Sequence, residues 1–169
     1  MSKGFSILEL LVVMVIVGVV ASLSMPVMTA YKTKQFDQEV SKLILDIKLA
    51  RSEAAKRNIF VTLRRIGTSW NNGWFSFVDD NGNGKKNSSE LIIFSSHKLS
   101  DTKLKNGSGF AKYIRFSGAG TAHKKGWLVV KHRTISTLKE VVCIKTSGRT
   151  SLSRCPKSSD PCEFTSACS

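Results

Sequence analysis

Acidic side chains are scarce in this chain: 169 residues carry 12 Asp and Glu against 26 Lys and Arg, a formal charge of +14. So large a basic excess on a small chain points to a polyanionic partner, whether nucleic acid, anionic lipid or acidic polysaccharide, or else to a basic surface that serves solubility alone. Cysteine is missing until Cys143; Cys143, Cys155, Cys162 and Cys168 then crowd into the last 27 positions. An even number in an exported segment reads as disulfides; zinc is the competing reading, disfavoured because no histidine lies near and the spacings lack a paired C-x-x-C. Histidine is sparse too: His97, His123 and His132 sit among turns and basic residues, with no Cys or Ser partner and no metal spacing. No glycine-rich loop joins a strand to a helix as nucleotide-binding folds require. These gaps exclude the common enzyme constellations, and no catalytic residue, resident metal or cofactor is expected. Internal repeats and inter-domain linkers are also missing, and the length beyond the first 30 or so residues suits one compact domain.

Charge of either sign is missing between Glu9 and Lys32. The resulting apolar run, Leu10 to Tyr31, is long enough to cross a bilayer core of ~30 Å at 1.5 Å per residue. It is also longer than the apolar region of a secretory signal. Glu9 sits at its rim, where a carboxylate next to hydrocarbon needs either the headgroups or a partner charge. Pro26 removes one helical hydrogen bond, so a kink or locally melted turn is expected near Ser22–Pro26. The short leader with Lys3, the Gly4-Phe5 junction, Glu9, the apolar run and Pro26 together resemble a type IV prepilin N-terminus. That resemblance implies cleavage between Gly4 and Phe5 by a prepilin peptidase, N-methylation of Phe5, and a helix that becomes a stave of the filament core. In such a bundle Glu9 would pair with a neighbouring subunit's N-terminal amine and set the axial register.

From Gln35 to Asn58 the apolar residues Phe36, Val40, Leu43, Ile44, Ile47, Ala50 and Ala54 recur at helical period. Lys56 and Arg57 favour the helix end and Asn58 can cap it. The stretch from Leu49 to Asn58 resembles the helix end of FimT- and GspH-type minor pilins and pseudopilins. Beyond it the period is that of strands, predicted at 59–65, 73–78, 90–95, 113–116, 126–131 and 140–146. The fold class expected is α+β, a long N-terminal helix packed on an antiparallel β domain of one or two sheets. The parts are a leader (1–4), a membrane and filament-core helix (5–31), an amphipathic helix (32–58), the β domain (59–146) and an irregular, basic, disulfide-tied tail (147–169).

Asp79, Asn81, Asn83, Gly84 and Glu90 have the spacing of a calcium loop. The flanks Trp74–Val78 and Leu91–Ser95 look like strands, however, and Lys85 and Lys86 lie inside the loop. A surface hairpin is therefore the expected reading of Asp79–Glu90, and calcium the alternative.

The last third is strongly basic. From Lys124 to Lys157 it carries Lys124, Lys125, Lys131, Arg133, Lys139, Lys145, Arg149, Arg154 and Lys157 against the single acid Glu140. Between Lys145 and Cys155, Lys and Arg alternate with Ser and Thr hydroxyls, the two kinds of group that hold backbone phosphates. No aromatic ladder lies beside the cations, so duplex binding without sequence preference is expected rather than base stacking. Gly148-Arg149 also resembles the Gly-Arg-x-Arg segment linked to DNA binding in FimT-type pilins, although Ser151 stands at the second Arg. The function expected is that of a minor pilin binding extracellular DNA during uptake, carried from the inner membrane to the cell surface among other pilins. The alternative is a structural minor pilin or secretion pseudopilin that binds no DNA. Loop lengths suggest Cys143–Cys155 and Cys162–Cys168 as the disulfides.

Overall fold

The computed structural model describes residues 6–154, apart from the side chains at 23–27 and at 154. It separates into two compact units, Met1–Gln35 and Phe36–Ser169. Helix α1 spans Ile7–Arg57 and belongs to both.

In the first unit α1 opens on Ser6, whose Oγ accepts from Leu8 N (3.3 Å) and whose carbonyl accepts from Glu9 N (3.0 Å). Ser6-x-x-Glu9 thus has capping-box spacing, and Glu9 lies in the first turn, where the helix N-terminus favours a negative charge. Of the kink or locally melted turn expected at Ser22–Pro26, the melted turn does not occur, because the helix runs without a break from Ile7 to Arg57. Proline costs one backbone hydrogen bond, and a helix this long continues past the loss. No helix among the described residues is long and apolar enough to cross a membrane.

In the second unit Phe36, Val40, Leu43, Ile47, Ala50 and Ala54 are all buried, alternating steps of four and three along one stripe of α1. Asn58, at φ 54, ends the helix in the left-handed conformation its residue type tolerates. Among the described residues eight antiparallel strands follow in two four-stranded sheets. They are β1 Val61–Arg65, β2 Trp74–Val78, β3 Ile92–Ser95, β4 Thr102–Asn106, β5 Tyr113–Phe116, β6 Gly126–His132, β7 Lys139–Ile144 and β8 Thr150–Arg154. The first sheet is ordered β3-β2-β1-β5 and the second β4-β6-β7-β8. The helical stripe packs into one core with Val61, Leu63, Ile114 and Phe116 of the first sheet and Leu104, Leu128, Val130, Val142 and Ile144 of the second. A fully buried side chain of this kind contributes ~1.5–3 kcal/mol.

Two strands depart from the sequence expectation. Strand β4, with Leu104 as its one large apolar residue, is held by docking: Asn71 Oδ1 accepts from Leu104 N (2.6 Å). On α1, Glu39 accepts from Ser100 N (3.0 Å), Ser100 Oγ (3.0 Å) and Thr102 Oγ1 (2.5 Å). Strand β8 overturns the irregular tail at 150–154, since Thr150–Arg154 pairs residue by residue with Ile144–Glu140; the rest of the tail, 155–169, lies outside the described residues. The β domain therefore runs past position 146. Backbone ladder bonds made β8 a strand where its Ser-rich sequence carried no period.

Candidate functional site

One end of the second sheet is built by a loop and a hairpin turn. The loop 117–125 joins β5 to β6, and the turn 145–149 joins β7 to β8. Ala122 N donates to Thr146 O (2.9 Å), tying the two together. Arg51, from α1, donates through Nε to Gly120 O (2.8 Å) and through Nη2 to Ser147 O (3.0 Å). The turn closes with Gly148 N donating to Lys145 O (2.8 Å) and Lys145 N to Arg149 O (2.9 Å). Gly148 has φ +77, and a Cβ there would overlap Gly120 O and press on Arg51. Only glycine fits. Above this locked backbone Arg149, Lys124 and Lys125 are exposed and Lys145 is half-buried.

The imidazole of His123 stacks on Tyr113 (centroids 5.0 Å apart), and its Nδ1 accepts from Arg115 N (3.2 Å). Burial, then the charge of Arg115, holds His123 below its ordinary value, so it favours the neutral form. It positions the loop and adds no cation.

The other predicted cations lie elsewhere. Lys125, just before β6, and Lys131, within it, are six residues apart, roughly 20 Å at ~3.3 Å per strand residue. Arg149 precedes β8 and Arg154 is its last residue, so the two are separated by roughly 17 Å on the same spacing. At this far end Lys131 stands in register between Lys103 and Lys139, a row of three lysines across β4, β6 and β7. Arg133 donates from its backbone to Asp101 O (2.8 Å) and through Nη2 to Leu99 O (3.3 Å). Arg154 is in register with Glu140. Lys157, Cys155, Cys162 and Cys168 lie outside the described residues, as do Gly4 and Phe5 at the other terminus. The single basic patch read from the sequence is thus two clusters. Arg51, which anchors one, and Lys103 and Lys105, which extend the other, were missed. The period-two spacing Lys103-x-Lys105 was the available signal.

The Asp79–Glu90 segment connects β2 to β3, so its flanks are strands. Asp79 is fully buried, and its carboxylate accepts from Thr62 Oγ1 (2.6 Å), Asn83 N (3.0 Å) and Gly84 N (2.9 Å). Arg64 donates to Gly84 O, and Glu90 Oε2 accepts from Asn87 N (2.7 Å). Asn81 and Asn83 side chains close turns onto Asn83 N (3.0 Å) and Lys85 N (2.6 Å). The side-chain oxygens of Asp79, Asn81 and Asn83 are engaged in holding the loop, while Glu90 Oε1 is buried without a hydrogen-bond partner. Among the described residues no three His, Cys, Asp or Glu side chains gather as metal ligands would.

Comparison with known proteins places these features. The description "Type II transport protein GspH" matches residues 39–148, and a prokaryotic N-terminal methylation motif matches residues 1–25. The pilin-like protein PilA1 of Thermus thermophilus is 37% identical over 81 residues, 48% of this chain; the chain spans about half (51%) of that curated relative's length. The type IV minor pilin FimU of Pseudomonas aeruginosa has a similar fold, with a TM-score of 0.61 at 17% identity, covering 75% of this chain and 92% of FimU. The minor pseudopilin EpsH, from the type 2 secretion system of Vibrio cholerae, aligns with a TM-score of 0.54 at 12% identity over 71% of this chain and 97% of EpsH. Carrying the methylation motif on its first helix and the matched fold beyond it, this chain belongs to the GspH family of type IV pilin-like proteins.

Proposed function

We propose that the chain is a minor subunit of a type IV pilus that binds duplex DNA, without sequence preference, through the loop and hairpin end of its second sheet. The observation that carries this is the exposure of Arg149, Lys124 and Lys125 on backbone fixed by Gly148 and Arg51. Cations on a rigid platform lose little freedom when they meet phosphates, and Arg can engage a phosphate bidentately. Lys131, Lys139 and Lys145 already hold contacts within the protein and rank below them. Arg133 adds a weaker second contact at the far end, and Arg154 and Lys157 join the DNA-binding set on their charge in the sequence alone. In the same reading, prepilin peptidase cleaves between Gly4 and Phe5 and Phe5 is methylated. The helix at 5–31 then holds the subunit in the inner membrane until it joins other pilins and reaches the cell surface. Glu9 pairs with a neighbour's amine there. No catalytic role enters.

Gly148 favours a second reading. Its φ and its packing require glycine whether or not DNA is bound, so Gly-Arg at this turn suits a purely structural pilin or secretion pseudopilin equally well. Titrating the full chain, in uncharged detergent, with duplex DNA at two salt concentrations separates the two. Binding is expected to weaken with salt, and each lost phosphate contact should lower the log–log slope by about 0.9. Combined Arg149→Gln, Lys124→Gln and Lys125→Gln should lower it most. A wild-type chain that fails to bind at low salt leaves the structural subunit as the function.

A further inference from the structure

The end of α1 and one end of the first sheet enclose a cavity that the basic clusters do not use. Its volume is about 370 Å³. Its walls are Asn58, Ile59 and Phe60, then Asp80 of the Asp79–Glu90 hairpin, then Ser117 and Ala119 of the loop after β5. Small-molecule sites usually measure ~300–1,000 Å³, so the space suits a small ligand or one inserted side chain.

Each wall stands on hydrogen-bonded backbone. Asn58 N donates to Ala55 O (3.3 Å) and Ile59 N to Ala54 O (3.2 Å), closing the helix end. Asp79 N donates to Phe60 O (2.9 Å), which fixes the start of the hairpin beside the residue that precedes β1. Ser117 N donates to Thr121 O (2.9 Å) and Gly120 N to Ser117 O (2.8 Å). Gly118 lies so close to the helix end that a Cβ on it would overlap Asn58 Oδ1. The cavity is preformed, and its walls need little ordering when a ligand enters.

The polar groups it presents favour a cation. Asp80 is exposed, and its carboxylate holds no hydrogen bond or ion pair among the described residues. Arg57, at the helix end, pairs instead with Glu53 (2.7 Å), and Arg115 lies over the Phe60 ring, 5.3 Å from its centroid. Helix α1 stops at Arg57, beside the cavity, and a helix C-terminus carries partial negative charge. Asn58 Oδ1 and the Ser117 hydroxyl, which shares a hydrogen bond with Thr121 Oγ1 (2.7 Å), add neutral acceptors. Ile59, Phe60 and Ala119 are apolar, and Phe60 is 42% exposed, a large ring left to water.

We propose that this cavity binds a primary ammonium group on an apolar stem, the chemistry of a lysine side chain or of a free alkylamine. The Asp80 carboxylate and Asn58 Oδ1 take the ammonium, while Phe60, Ile59 and Ala119 cover the stem. The site stands whether or not the chain binds DNA, because its charged group is an acid and the cations of the hairpin end take no part.

Titration of the full chain with butylammonium, in uncharged detergent and followed by nuclear magnetic resonance, tests the site. The amide signals of Phe60, Asp80, Ser117 and Ala119 should shift and saturate. Butanol, of similar size without the charge, should need about tenfold more ligand. Asp80→Asn should abolish that preference and leave the butanol response and the melting temperature as they are. Equal responses to the two ligands in the wild type, or no saturable shift at these residues, overturn the proposal. Inorganic phosphate moving the same signals would also overturn it, since the site would then be an anion site. Carbodiimide coupling of the concentrated chain distinguishes the sources. A dimer joined from Asp80 to a lysine, and suppressed by butylammonium, identifies the side chain of a second copy as the ligand. Saturable butylammonium binding without that dimer identifies a free amine.

Discussion

Two turns in this protein look alike as sequence and differ as structure. The Asp79–Glu90 segment and the Lys145–Arg149 turn each combine glycine with charged and hydroxyl or amide side chains. In the first, the charge points inward: the Asp79 carboxylate is consumed by Thr62 Oγ1, Asn83 N and Gly84 N. In the second, the backbone is pinned through Gly148 and Arg51 while the charge of Arg149 is left at the surface. A ligand motif is informative only when its functional atoms remain available once the loop's own backbone has been satisfied.

Substitutions can sharpen that contrast, beginning with the largest expected effect. Gly148→Ala forces φ +77 on a residue with a Cβ and drives that atom into Gly120 O. Strain and overlap together should cost about 3 kcal/mol or more, read as a lowered denaturation midpoint. A midpoint close to wild type would show that the turn is not locked. Asp79→Ala strands the buried Gly84 amide and the Thr62 hydroxyl, while Asn83 N keeps the Asn81 side chain, an expected loss of ~2–3 kcal/mol. If millimolar calcium raises the wild-type melting temperature, and not that of this variant, the loop binds metal after all.

Smaller effects come from the two titrating groups that tie loops to the core. Burial raises the Glu39 carboxyl, but the hydrogen bonds from Thr102 and Ser100 outweigh it and the net value lies below the ordinary 4.5. Its stabilisation is present above that unfolded value and is lost as pH falls through the lowered folded one. Glu39→Gln should cost ~1 kcal/mol near neutral pH and flatten the acid limb of a pH–stability curve. For His123, lowered by burial and by Arg115 from 6.5, the sign is the same. Stability is complete above the unfolded value and declines as pH drops through the folded one, and His123→Gln should remove that component from pH-dependent melting. Arg149→Gln should move stability by no more than ~0.5 kcal/mol, since the side chain is exposed. Any change it makes to the salt slope of DNA binding then isolates function from folding.

Much of the fold was legible because its signals are local. The stripe Phe36, Val40, Leu43, Ile47, Ala50 and Ala54 announces a one-sided helix, and Asn58 stops it with the φ its side chain tolerates. Six strands carry β-branched or aromatic residues between turns. Strands β4 and β8 carry little of either: one is held by Glu39 and Asn71 reaching from other elements, the other by pairing with β7. Arg51 was illegible as an anchor because its acceptors, Gly120 O and Ser147 O, lie 69 and 96 residues away.

The sequence by itself determined the basic excess, the apolar first helix with Glu9 in its opening turn, and the alternation that separates helix from strands. These depend on residue type and near-neighbour spacing, which no distant contact changes. Only the tertiary structure decided which cations share a surface. Strand register places Lys103, Lys131 and Lys139 in one row and sets Arg149 and Arg154 at opposite ends of β8. Neighbours in sequence diverge by ~3.4 Å per residue along a strand, while residues far apart in sequence meet at ~5 Å across it.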